Sequence, residues 1–215
     1  MRTLINLDYL KAAAAYASTE ETRFYLKGVY VSVHPDADTV TYVATNGHVL
    51  FAACDHLDST DDVEGDGAWI VPLDFIKGLK LPRNSALRYA AFEGATGGLA
   101  SPVTGRRVNV SGAVEGAFTP VDGEFPEWQN VVPKELREAG NTAQFDGRYL
   151  ALLEQTAKAL GTPHPVIHFN GDNPTPVTFG SETHAFAVIM PRRAREEEWR
   201  GLGVLTDTKA EGDAA

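Results

Sequence analysis

The sequence predicts an α+β protein assembled from three similar units, each with the order β-α-β-β-β. Residues 4–18, 69–80 and 143–161 each begin with a short apolar run, reach an aspartate and continue into a helical pattern. The aspartates Asp8, Asp74 and Asp146 lie 66 and 72 residues apart, which indicates an internal repeat of about that period. Such units place antiparallel sheets on one side of the protein and helices on the other.

Each aspartate stands where a helix is expected to begin. A short carboxylate at this position accepts hydrogen bonds from the unpaired N–H groups of the first turn, so Asp8, Asp74 and Asp146 are predicted to be N-caps. The middle helix is expected to be short, because Pro82 limits its length.

Three strand-like runs follow each predicted helix. Aromatic and β-branched residues dominate the runs, and Gly, Pro, Asn and Asp fill the gaps between them. The runs cover 23–33, 39–47 and 49–54, then 86–94, 106–114 and 115–121, and finally 165–171, 174–181 and 184–191. They divide the chain into a domain at 1–133 (units 1–54 and 68–133), a third unit at 143–193 and a tail at 194–215.

The chain is acidic, but the acid is concentrated in two stretches. Its 215 residues have a formal net charge of −10, of which residues 55–67 contribute −6 and residues 194–215 contribute −3. We expect the first stretch to be an exposed linker and the second a disordered tail. The acidity argues against a protein that coats nucleic acid with its whole surface, although the nearly neutral remainder leaves room for one basic face.

The motifs that build catalytic sites are absent from the sequence. There is no nucleophile elbow, P-loop or dinucleotide fingerprint. Cys54 is the single cysteine and is expected to be a small buried hydrophobe, and a Cys–His nucleophile with His48 or His56 has no further support. A binding or scaffold protein is therefore favoured over an enzyme.

Metal, cofactor and membrane sites are not expected either. The three histidines of the third unit, His164, His168 and His184, have no carboxylate at a recognisable ligand spacing. No window approaches the roughly 18–20 apolar residues that span a bilayer. The first eleven residues are charged too early for a signal peptide, so we expect a cytoplasmic protein.

Four stretches of the sequence resemble one known family. They are TRFYLKGVYV at 22–31, VATNGHVLFAAC at 43–54, VDGEFPEWQNVVPKE at 121–135 and HAFAVIMPRR at 184–193. In order and approximate spacing they are similar to segments of the bacterial sliding clamp, the β subunit of DNA polymerase III. The resemblance implies the DNA-clamp fold, with 1–133 similar to the clamp's middle domain and 143–193 to the last half of its final domain.

The resemblance also implies an assembly. A clamp protomer has three domains of two units each, and the known rings contain twelve units. With three units in each chain, a twelve-unit ring would take four chains, so a homotetramer is one expectation. An incomplete ring, or a protein that does not encircle DNA, also fits.

In the family, the helices carry basic side chains toward the phosphates of duplex DNA in loose, sequence-independent contacts. The corresponding candidates in this sequence are Lys11 on the first helix, Lys77, Lys80 and Arg83 on and after the second, and Arg148 and Lys158 on the third.

The second site that the resemblance implies is a hydrophobic pocket for short peptides of polymerases and other partners. The positions that match it are Leu26, Thr45, Gly47, His48, Leu50, Pro133, Val188, Met190 and Pro191. Leucine, valine and methionine there would form an apolar cleft, and methionine can adapt its shape to different ligands. The sequence departs from the family at Val49, where the clamp has arginine, and in the chain that continues past Pro191.

Together these features predict a clamp-like, non-enzymatic protein that tethers a polymerase or another partner to duplex DNA as a processivity factor. The alternative is a regulatory adaptor of clamp fold that binds partner proteins, for example in transcription, without encircling DNA. A hydrolase with a site around His48 and Cys54 is the least favoured hypothesis.

Overall fold

The structure is a computed structural model that describes residues 2–56, 67–81, 88–94, 107–135, 144–180 and 184–192. The predicted linker (except for its first two residues and Gly67), the tail and Arg83 lie outside the described residues. Within the described ranges, no helix has the length and apolar content that crossing a membrane would require.

The elements follow the predicted order in the first two units. The first unit contains β1 (Arg2–Asn6), α1 (Leu7–Ala14), β2 (Gly28–His34), β3 (Thr39–Thr45) and β4 (Val49–His56). The second contains β5 (Gly67–Pro72), α2 (Leu73–Gly78), β6 (Tyr89–Glu93), β7 (Val108–Gly112) and β8 (Gly116–Phe118). The third contains α3 (Gly147–Ala159), β9 (Val166–Ile167), β10 (Thr175–Thr178) and β11 (Ala185–Ile189). Short 3₁₀ helices occupy Glu21–Leu26, Pro35–Ala37 and Trp128–Val131.

The first two units exchange their leading strands. β1 lies antiparallel beside β6, with Leu4 opposite Ala91, and β5 lies antiparallel beside β2, with Trp69 opposite Val31. The result is a four-stranded sheet in the order β1-β6-β7-β8, and β5-β2-β3-β4 forms one end of a second sheet. Each of the first two units thus contributes its leading strand to a sheet of the other.

The third unit joins the first two edge to edge. β11 pairs antiparallel with β4, with Val188 opposite Leu50, which extends the second sheet to seven strands in the order β5-β2-β3-β4-β11-β10-β9. The predicted leading strand of the third unit is reduced to a single bridge between Gln144 and Arg192 among the described residues. We call the β4–β11 pairing and the surface above it the seam.

The main core lies between the sheets and the helices. It includes Ile5, Leu10, Tyr16, Phe51, Trp69, Phe92, Leu153 and Phe179, all at most 1% exposed. Tyr16 of the first unit and Thr156 of α3 share a buried hydrogen bond of 2.8 Å, so the third unit contributes to the same core. This arrangement of antiparallel sheets backed by helices confirms the predicted α+β class.

The helix starts differ from the prediction at two of three positions. Asp146 is the N-cap of α3 and accepts a hydrogen bond from the N–H of Arg148. In α1, however, the cap is Asn6, whose side chain accepts from the N–H groups of Asp8 and Tyr9. Pro72 occupies the corresponding position of α2, without a side-chain bond. Both strands run straight into their helices, so Asp8 and Asp74 fall inside the first turn, where a carboxylate still favours the helix dipole.

Candidate functional site

The apolar part of the predicted pocket comes together on the seam. Leu50 and Val188 are directly opposite each other across β4 and β11, and Leu26 belongs to the same small cluster on the face of the sheet away from the helices. The three side chains are only 4%, 2% and 4% exposed, respectively. They are therefore the floor of the seam rather than its accessible surface.

The chain itself covers this floor. Phe125 stacks on Tyr30 with ring centroids 5.0 Å apart, and Trp128 is tilted against Phe186 at 6.4 Å. The N–H of Val121 donates to the carbonyl of Ile70 and fixes the start of the covering segment. This packing explains why Leu26 and its neighbours are buried, and it restricts ligand access to the margins of the cluster.

The polar positions of the predicted pocket form the turn between β3 and β4. Thr45 donates its hydroxyl to the carbonyl of Val49 and accepts from the N–H of Gly47, while the Asn46 side chain accepts from the N–H of His48 and of Val49. Gly47 has φ +88°, and a Cβ atom there would stand 2.6 Å from Nη1 of Arg23. The positive φ therefore requires glycine in the turn, whereas the flexible Arg23 side chain can move away from an added Cβ.

Met190 is the accessible apolar side chain of the seam. Its N–H donates to the carbonyl of His48, which holds the end of β11 against the β3–β4 turn, and its side chain is 42% exposed. Pro191 follows and is half-buried. An exposed methionine at the end of an otherwise covered cluster is a suitable contact for an apolar ligand, because its thioether chain adapts to different shapes.

An open pocket of about 770 Å³ lies beside Met190. Thr175 is opposite Ile189, so Pro174, which lines the pocket, and Met190 are the next residues along the two antiparallel strands. The lining combines apolar residues, four amides and one charge of each sign: Val131, Val132, Pro133 and Pro174, then Gln129, Asn130, Asn170 and Asn173, and finally Lys134 and Glu135. Of the predicted pocket residues, Pro133 alone lines it.

This combination suits an extended peptide. Val131 is 40% exposed and offers apolar surface to a side chain. Side-chain amides both donate and accept hydrogen bonds. Asn130 and Asn173 already donate to Glu127 and to the carbonyl of Asn170, and Asn170 is buried and donates to the carbonyl of Pro174, so Gln129 and the remaining hydrogen-bonding groups of Asn130 and Asn173 are the ones that can pair with a bound backbone. The sequence did not point to the four amides, because Gln129 and Asn130 come from the segment after β8 and Asn170 and Asn173 from the β9–β10 connection. Only the fold brings these two segments together.

The predicted DNA-binding side chains are on or beside the helices, and three of them are engaged within the chain. Lys11 is half-buried and donates to the carbonyl of Leu79 at the end of α2. Arg148 pairs with Asp146 at 2.8 Å, and Lys158 pairs with Glu154 at 3.4 Å. The hydrogen bond and charge of Arg148 hold the pKa of Asp146 well below its usual range.

Lys77 and Lys80 are the more available bases. Both are exposed, and neither is within 4.0 Å of a described carboxylate. Each helix also carries an acidic residue near a basic one. The pairs are Asp8 and Lys11 on α1, Asp74 and Lys77 on α2, and Glu154 and Lys158 on α3. The described helix side of one chain is therefore close to neutral, which limits its attraction for phosphates.

The least favoured site, around Cys54, lacks the features of a nucleophile. The thiol is half-buried, and burial raises its pKa. A raised pKa leaves little of the reactive thiolate at neutral pH. His56 and His184 pack edge to face at 5.1 Å, and His168 bonds to Thr178 at 3.0 Å. Within the described ranges, no three potential ligands are grouped so as to hold a metal ion.

Comparison with known proteins supports the resemblance at the level of the fold. No protein-family model and no curated protein matches the sequence. Among solved structures, the chain is similar to the β subunit of DNA polymerase III from Thermotoga maritima, at 15% identity and a TM-score of 0.65, over 91% of this chain and 66% of that one. It is also similar to the β subunit from Streptococcus pyogenes, at 15% identity and a TM-score of 0.66, over 90% of this chain and 66% of that one.

A third similar structure is the sliding clamp from Bartonella birtlesii bound to griselimycin, at 20% identity and a TM-score of 0.63, over 90% of this chain and 66% of that one. The chain thus spans about two thirds of the length of the clamps that it matches. Near-complete coverage of this chain at such low identity means that the arrangement of strands and helices is shared although few side chains are. The chain therefore has the fold of the bacterial β sliding clamp over the two thirds of that fold which it spans.

Proposed function

We propose that this chain is a clamp-like, DNA-associated protein that binds short peptides of a polymerase or another partner at the seam and tethers that partner to duplex DNA. In this role it acts by binding and catalyses no reaction. The observation that carries the proposal is the pocket beside the exposed Met190, in which the exposed Val131 and polar amides meet where the third unit joins the first two.

The seam supports peptide binding through its chemistry. Burial of one or two apolar side chains against Met190 and Val131 would supply the affinity, at about 1.5–3 kcal/mol for each fully buried side chain. The amides of Asn130 and Asn173 would fix the direction of the peptide backbone. Leu26, Leu50 and Val188 then act from below, by holding β4, β11 and the covering segment in place.

Replacing Met190 by alanine is expected to weaken binding of a labelled peptide from the clamp-binding segment of a replicative polymerase by about tenfold, measured by fluorescence anisotropy. The reason is loss of roughly half of the apolar contact of one buried side chain, about 1.4 kcal/mol. Leu26 is unsuitable for this test, because its burial means that truncation would also destabilise the fold.

Phe24→Ala provides the matched control, since Phe24 is 52% exposed and does not line the seam pocket. It should leave the affinity unchanged. Equal affinity of Met190→Ala and the unchanged chain, with both folded by circular dichroism, would reject the seam as the peptide site.

Contact with DNA is proposed through the helix side, with Lys77 and Lys80 as its more available bases. A ring of four chains, each with three units, would carry four copies of these two lysines. The hypothesis of a ring around DNA therefore requires a homotetramer. A single chain offers too little positive charge for tight binding, because most of its other helix bases are engaged with acids or carbonyls.

Changing both Lys77 and Lys80 to alanine is expected to reduce affinity for duplex DNA and to lower the salt dependence of binding. If each lysine neutralises one phosphate, the slope of log K against log salt should fall by about 0.9 for each lysine in each chain. Filter binding or anisotropy from 50 to 200 mM salt measures both quantities. The Lys158→Ala variant serves as the control, and its effect should be smaller because Glu154 already compensates that charge.

The charge balance of the helices favours a second candidate, a clamp-fold adaptor that binds partner peptides without encircling DNA. The same titration separates the two functions. Peptide binding at the seam with no measurable DNA binding at 50 mM salt, on linear or circular duplexes, would favour the adaptor and reject the tether.

A further inference from the structure

In the first two units, each unit is covered by a strand and a helix of the other. β6, the strand that follows α2, has β1 of the other unit along its outer edge, and α1 packs against α2. Phe92 on β6 is consequently 0% exposed and lies against Trp69 and Phe118. The core of the domain is thus shared between two units.

The third unit has the same helix and following strands, and within the described residues it has no second unit beside β9. β9 follows α3 as β6 follows α2, and it ends the seven-stranded sheet with no described strand along its outer edge. The sequence YAAFEG at 89–94 aligns with VIHFNG at 166–171, so Phe169 aligns with Phe92, although Phe92 lies within β6 and Phe169 lies two residues beyond the end of β9. Phe169 is 54% exposed, whereas Phe92 is completely buried.

An apolar strip surrounds Phe169. Phe169 packs on Phe145 at the base of α3 with ring centroids 6.2 Å apart, and Phe145 and Ile167 both pack at the margin of the main core. Leu150 on α3 is 38% exposed, and Val166 at the sheet edge is 51% exposed. We call Phe145, Leu150, Ile167 and Phe169 the third-unit strip. An open strand edge beside exposed apolar side chains is a surface that proteins normally cover.

We propose that a second copy of the same chain covers the third-unit strip, so that two third units, related by a two-fold axis, complete one domain between them. The first domain already shows that two such units are complementary, because β1 crosses to β6 and β5 crosses to β2 in a reciprocal exchange. A two-fold contact covers the strip on both copies at once and leaves no free strip for further growth.

The charges on α3 are compatible with this self-association. Glu154 and Lys158 occupy the exposed side of the helix and carry one charge of each sign. Two helices related by a two-fold axis can therefore place acid near base without an excess of like charge. This inference concerns a different surface from the seam pocket and does not rest on the proposed function.

The test is the mass of the complete chain in solution, measured by native mass spectrometry and by light scattering. The unchanged protein is expected at an even multiple of 23.2 kDa. The Phe169→Asp and Leu150→Asp variants, each with a charge in the strip, should have half that mass or a dissociation constant raised by at least about tenfold. The Phe24→Asp variant carries the same kind of change on a side chain that is 52% exposed in the first unit and should keep the original mass.

A monomer for the unchanged protein at about 100 µM, or an unchanged mass for both strip variants, would overturn the inference. Hydrogen exchange distinguishes loss of contact from loss of folding. In the unchanged protein, protection at residues 166–169 should rise with concentration, while in Leu150→Asp it should not rise and β4 should stay protected. Leu150→Asp should still bind the polymerase peptide, because Leu150 does not line the seam pocket, so failure of this inference is separable from failure of the proposed function.

Discussion

Replacing Phe51 by alanine is expected to lower the free energy of unfolding by about 3–5 kcal/mol. Phe51 is 0% exposed on β4, with its ring centroid 5.2 Å from that of Tyr16 and 6.1 Å from that of Phe179. Its ring joins the core of the first unit to that of the third. Truncation therefore removes buried apolar area and leaves a cavity at the place where the two parts of the chain meet.

Urea unfolding followed by circular dichroism measures this loss, and limited proteolysis reports whether the third unit detaches first. Phe24→Ala removes the same atoms from a half-exposed site and should change stability by no more than about 0.5 kcal/mol. Similar midpoints for the two variants would contradict the placement of Phe51 between the units.

The second large effect is expected at Gly28, where alanine should destabilise the fold by about 1–3 kcal/mol or more. Gly28 begins β2 directly opposite Pro72 of β5, and an added Cβ would stand 2.5 Å from the carbonyl oxygen of Val71 and 2.8 Å from Cγ2 of Ile70. The backbone oxygen cannot move without breaking the β2–β5 pairing, by which the second unit adds a strand to the seven-stranded sheet. The close approach of β2 and β5 therefore requires glycine.

Gly78→Ala is the control for this substitution, because a Cβ at Gly78 meets no atom within 4 Å. Removing a glycine at an unstrained position restricts the unfolded chain and is expected to be neutral or stabilising by up to about 1 kcal/mol. Thermal unfolding of the two variants gives the comparison, and a Gly28→Ala protein as stable as Gly78→Ala would refute the close packing of β2 on β5.

The candidate peptide site shows which features of a site can be predicted from local sequence. The residues around the β3–β4 turn and at the end of β11 could be found from the sequence, because they lie within two short, distinctive stretches. Their burial could not, since it depends on Phe125 and Trp128 lying over Leu26, Leu50 and Val188. Nor could the amides at Asn130 and Asn173, which are 43 residues apart and become neighbours only when β10 and β11 join the sheet.

The basic side chains of the helices illustrate the same limit. Their positions on α1, α2 and α3 follow from the helical pattern, but their availability depends on partners. Lys11 reaches the end of α2, which is 68 residues away in sequence, and this contact exists only because α1 packs on α2. Arg148 instead bonds to Asp146, two residues away, so this contact could be expected from the local sequence.

The sequence by itself determined the alternation of strands and helices, the repeat of the three units and the α+β class, because these follow from the spacing of apolar, turn and capping residues along the chain. The tertiary structure decided which strand pairs with which: β1 with β6, β5 with β2 and β11 with β4. A strand offers the same hydrogen-bonding groups to any partner, so the choice among partners is made by side-chain packing across the whole domain. This strand pairing forms the seam and buries Phe92 in the second unit, and it leaves Phe169 exposed on the third.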